Sequence, residues 1–132
     1  MWIHGYESPN VTDQWDGNWL RATANCAAGG ASVWVSGSIL RSDGIADWQL
    51  QLQDVCETLQ GQAVLDCYEP ELRVSVTVVD RAGHLRIGVE ITPDLSRQRH
   101  QFDFDADQTY LPPVIEQCRL LLTRFPARGE RV

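Results

Sequence analysis

The chain has 132 residues, 43% of them hydrophobic and 22% charged, which is enough apolar material for a core and too little charge for wholesale disorder. Its formal charge is −7, with a sequence pI near 4.8. A negative surface repels nucleic acid and anionic membranes and attracts basic partners, so neither nucleic acid nor a membrane is expected as a partner.

The N-terminal residues Met1-Trp2-Ile3-His4-Gly5-Tyr6 carry no basic stretch and no long apolar one, so they do not read as a signal peptide. No apolar run approaches the ~20 residues of a membrane helix, and a cytoplasmic protein is expected. After a short first strand, residues 7–18 are polar and turn-rich and read as a loop. Residues 19–27 then alternate: Leu20, Ala22, Ala24 and Cys26 share one face, and Arg21, Thr23 and Asn25 share the other. Gly29-Gly30 makes a turn into a second strand over 31–40, with Val33, Val35 and Ile39 on one side and Trp34, Ser36 and Ser38 on the other.

Ser42-Asp43-Gly44 offers a helix N-cap, and Ile45, Trp48, Leu52, Val55, Cys56 and Leu59 form one apolar stripe on a 3.6-residue period. Gly61 is the expected stop. A short strand over 63–68 precedes a clear one over 71–80, in which Leu72, Val74, Val76 and Val78 alternate with Arg73, Ser75 and Thr77. Residues 81–84 turn the chain, and Leu85, Ile87, Val89 and Ile91 alternate with Arg86, Gly88, Glu90 and Thr92. The last strand, over 99–106, places Phe102 and Phe104 inward and Gln101, Asp103 and Asp105 outward. Asp107 or Thr109 caps a closing helix with the stripe Val114, Cys118, Leu121, Leu122 and Phe125, ended by Pro126.

The expected fold is α+β: a mainly antiparallel sheet of six or seven strands, with two amphipathic helices packed on its apolar face. The whole chain, 1–132, is expected to form one domain, with an N-terminal strand and loop over 1–17 and a flexible tail over 127–132.

No catalytic motif stands out, and no cofactor is implied. Cys26, Cys56, Cys67 and Cys118 form no CxxC pair and sit at apolar positions, so they read as reduced thiols filling the core. His4, His84 and His100 lie in separate turns or strand ends, with no nucleophile nearby in sequence. Asp103, Asp105 and Asp107 would project from one strand face, but the spacing lacks the glycine and closing glutamate of an EF-hand, and no metal site is expected. An acidic recognition patch suits the net charge better, and Asp103, Asp105 and Glu90 are the candidate contacts with a protein partner. Trp15, Trp19 and Trp34 read equally as interface anchors or as a small cluster beneath a loop.

The chain resembles the WapI-type immunity proteins of bacterial polymorphic toxin systems. The similarity is carried by Asn18-Trp19-Leu20 and the hairpin after it, the helix with Trp48, the run of alternating strands, and Asp107-Gln108-Thr109-Tyr110-Leu111, and it spans about residues 18–126. It implies a non-enzymatic inhibitor that binds a cognate toxin domain, often a nuclease and therefore basic. Tyr110 is expected to be structural, with its ring under the sheet. Two other readings stay open. One is a small-molecule site or enzyme with a pocket between sheet and helices, using groups such as His84, Tyr110 or Cys118. The other is a structural homodimer built through the open sheet face or an edge strand; the chain is read as a monomer or a homodimer.

Overall fold

The computed structural model describes residues 1–68 and 70–129. Among them the strands are β1 (Trp2–Tyr6), β2 (Trp19–Ala28), β3 (Ala31–Arg41), β4 (Gln62–Asp66), β5 (Leu72–Val78), β6 (His84–Ile91) and β7 (Gln101–Asp107). The helices are α1 (Ser42–Thr58) and α2 (Leu111–Arg124), the second entered through a 3-10 turn at Gln108–Tyr110. The α+β class, the antiparallel pairing and the packed helices are as the sequence indicates. The strands divide into two sheets, β1-β2-β3 and β4-β5-β6-β7. The division falls where α1 intervenes: a helix between β3 and β4 leaves no hairpin to join them.

Gly29 and Gly30, at φ 58° and 86°, make the tight turn that suits the twist of β2 and β3. The inner face of that hairpin buries Leu20, Ala22, Ala24, Val33 and Val35. In the second sheet Ala63, Leu65, Leu72, Val76, Leu85 and Ile91 are buried, and these join α1 residues Ile45, Leu52 and Val55 in one contiguous core. α1 lies against both α2 and β4. From α2, Leu111 and Cys118 complete the cluster.

A bulge interrupts the β2–β3 ladder. Leu20 pairs with Leu40 but Arg21 pairs with Ser38, so Ile39 is extra. A bulge re-aims the residues beyond it. Here it returns Leu40 to the core opposite Leu20 and sets Arg41 opposite Trp19.

The helix starts differ from expectation. α1 follows β3 directly, with Arg41 in the N-cap position and no side-chain cap; Ser42 is the first helical residue, fully buried, and its hydroxyl has no hydrogen-bond partner among the described residues. At the other end Leu59 takes the left-handed conformation at φ 51°, two residues before Gly61. Asp107 does cap the 3-10 turn, accepting from the Thr109 backbone N–H at 2.8 Å. Tyr110, however, is 59% exposed, and the neighbouring Leu111 is the residue that enters the core.

Residues 126–128 are tied to the end of β1: Tyr6 donates its hydroxyl to the Pro126 carbonyl at 2.6 Å, and the Arg128 guanidinium lies 3.4 Å from the Tyr6 ring centre. The rest of the expected tail, residues 130–132, lies outside the described residues, as does Glu69. Among the described residues no helix is long and apolar enough to cross a membrane.

Candidate functional site

The loop over residues 7–18 is built by its own polar groups. Asp13 accepts the backbone N–H of Trp15 and of Asp16, both at 2.8 Å, in an Asx-type turn. Asn18 is fully buried, and each polar atom of its side chain has a partner. Its Nδ2 donates to the carbonyls of Gln14 (2.8 Å) and Arg128 (2.9 Å), while Oδ1 accepts the Arg128 N–H at 2.7 Å. Arg128 Nη1 donates to the carbonyls of Pro9 and Val11 at 3.1 and 2.8 Å.

Arg41 holds the other side of the loop. Its guanidinium donates to the carbonyls of Trp15 and Gln14, both at 2.6 Å, and through Nε and Nη2 to Asp43 at 3.0 and 3.1 Å. Burying a charge is costly unless it is paired and hydrogen-bonded, and this one is both. Three rings surround it: Trp19 at 5.1 Å, Tyr68 at 5.4 Å and Trp15 at 5.9 Å from the guanidinium carbon. Trp15 and Tyr68 also contact one another, with ring centres 6.5 Å apart, yet they remain 65% and 73% exposed. Beside them Arg41, Asp43, Asp47, Asp66 and Tyr68 line a cleft of about 130 Å³.

Of the tryptophans weighed from sequence, Trp15 is thus a surface residue and Trp19 half-buried. Trp34 is 55% exposed and stacks on Trp2 with centres 5.7 Å apart on the outer face of the three-stranded sheet. Sequence reading missed Tyr68, whose signal was weak: an aromatic residue at the end of the strand expected over 63–68, two positions before Pro70.

Asp103, Asp105 and Glu90 lie together on the outer face of the four-stranded sheet. Asp103 is opposite Gly88, Asp105 is opposite Arg86, and Glu90 is opposite Gln101. All three are exposed. Their surroundings are mixed, because Arg86 is interleaved and Arg73 approaches Glu90 at 3.8 Å. The row Asp66–Arg73–Glu90 crosses β4, β5 and β6 and links this face to the Tyr68 corner.

The thiols are free, and Cys118 is buried. Burial pushes the Cys67 thiol up to about 12, helped by the charges of Asp66 and Glu71, and burial also raises Cys26 and Cys118. A thiol held protonated is a poor nucleophile. The three histidines are apart: His4 meets Thr23 at 2.8 Å, His84 meets Asp80 at 2.6 Å, and His100 meets Gln98 at 3.3 Å. Among the described residues no three His, Cys, Asp or Glu side chains gather as a metal site.

A cleft of about 320 Å³ lies between the helices and β1, lined by residues that include Ile3, Trp48, Leu65, Val114, Cys118 and Leu121. Cys118 lines it, but His84 and Tyr110 do not, so the three polar groups considered for a small-molecule site are not brought together.

Comparison with known proteins gives one family match: the sequence model of the Immunity protein WapI-like family covers residues 1–126. No curated protein and no solved structure matches the chain.

Proposed function

The chain belongs to the Immunity protein WapI-like family, whose name implies a toxin-neutralising binding role, and we propose that it inhibits a basic toxin domain by direct, non-enzymatic contact. The observation that carries this reading is the family match over residues 1–126. The net charge of −7 supports a basic partner, because opposite potentials speed encounter and reject wrong partners. The outer face bearing Asp103, Asp105 and Glu90 offers carboxylates to such a partner. The raised thiols and the scattered histidines offer no activated nucleophile, which favours binding over catalysis. The proposed place of action is the cytoplasm.

The test is capture. Tagged protein is used to retrieve partners from lysate of its host at low and moderate salt, and each partner is identified by mass spectrometry. A basic toxin domain retained less as salt rises is the expected result. Clearly folded bait that retains no toxin domain contradicts the reading.

A further inference from the structure

We propose that the corner formed by Trp15 and Tyr68 is an anchor point for an arginine-rich segment of the protein partner. This rests on the toxin-binding reading and specifies the chemistry that the toxin presents. Trp15 is 65% and Tyr68 73% exposed, yet neither ring hangs free, since both lie against the Arg41 guanidinium and against each other. Rings held in place before binding lose little entropy on contact, and aromatic anchors of this kind dominate interface energetics.

The charge around the corner selects the partner. Asp13 and Asp16 belong to the loop that carries Trp15, while Asp43, Asp47 and Asp66 line the cleft beside Tyr68. These five carboxylates outnumber the guanidiniums beside them, Arg41, which pairs with Asp43, and Arg73, which lies opposite Asp66. A planar cation fits both parts of such a surface: it stacks on a ring and donates from its edge to a carboxylate. The other exposed aromatic pair, Trp2 and Trp34, lacks this charge; Thr23, Asn25 and Ser36 are its neighbours on the outer face. The Asp103 and Asp105 face has the charge, but its aromatic residues, Phe102 and Phe104, belong to the opposite side of the strand.

The experiment needs no toxin. A short polyarginine peptide is titrated into the isotope-labelled chain, and the backbone and indole resonances are followed by NMR, with polyglutamate as the control. The expected result is a set of shifts centred on Trp15, Asp66 and Tyr68, with affinity falling about tenfold in Trp15→Ala and in Tyr68→Ala. Both side chains are exposed, and an unchanged melting temperature verifies folding of each variant. Shifts confined to β6 and β7, or affinity unchanged in both folded variants, overturn the proposal. Neither outcome bears on toxin capture, so failure of the anchor and failure of the toxin reading are separable.

Discussion

The side-chain amide of Asn18 clasps the backbone of Arg128, 110 positions away, accepting its N–H at 2.7 Å and donating to its carbonyl at 2.9 Å. The contact copies a pair of β-ladder bonds with one side chain. It joins the two ends of the described chain and fixes the loop whose tip carries Trp15.

Asn18→Ala leaves the carbonyls of Gln14 and Arg128 and the Arg128 N–H without this partner in a buried place. Unsatisfied buried polar groups cost about 1–3 kcal/mol each, and partial relaxation limits the sum. Urea unfolding should show a loss of about 2–4 kcal/mol at unchanged slope. A loss under about 0.5 kcal/mol would show that the clasp is dispensable.

Gly17→Ala tests the same loop by crowding. A Cβ at Gly17 would collide with the Asp13 carbonyl and come within 2.8 Å of the Val11 carbonyl, both rigid backbone atoms. The expected cost is about 1–3 kcal/mol, read by thermal unfolding. A melting temperature equal to that of the parent chain would mean that the loop yields freely.

Much of this arrangement was beyond a reading along the chain. The strands β5, β6 and β7 were legible because their alternation is unbroken and each side chain keeps the face that its period assigns. Arg41 was not, since a charged residue at a strand end reads as solvated; its burial depends on the bulge at Ile39 and on carbonyls from a loop more than twenty positions away. Tyr110 reads as structural, with its ring under the sheet, but Leu111, one residue on, is the buried side chain. The tie between Asn18 and Arg128 has no local signature. Asp103 and Asp105 were placed correctly on the outer face, whereas the arginines opposite and beside that face become visible only with the register.

The turn between β5 and β6 carries a titrating pair. The hydrogen bond that His84 donates to Asp80, and then the Asp80 charge, raise His84, with a further contribution from Asp107 across the ladder, while the same bond lowers Asp80. The pair therefore stabilises the turn between the two shifted values. On the alkaline side the contribution fades as pH rises through the raised histidine pKa, and on the acid side it fades as pH falls through the lowered carboxylate pKa. NMR titration should place His84 above the usual ~6.5, and Asp80→Asn should bring it down. No change on that substitution would contradict the pairing.

Charge reversal at Asp103 and Asp105 tests the sheet face. With a toxin domain in hand, the double lysine variant should associate at least about tenfold more slowly at low salt, the difference narrowing as salt rises. Stopped-flow mixing measures this directly. Identical association rates would remove these residues from the encounter surface.

The central claim is neutralisation by binding, and stoichiometry tests it most directly. The captured toxin domain is held at fixed concentration, well above the dissociation constant, and its residual activity is measured as the purified chain is added. Binding predicts activity falling linearly to an end point at a fixed molar ratio, reached at once and recovered when the complex is separated under denaturing conditions and the toxin refolded. Progressive loss of activity at far lower ratios, with a permanently altered toxin, would contradict the account and identify the chain as an enzyme.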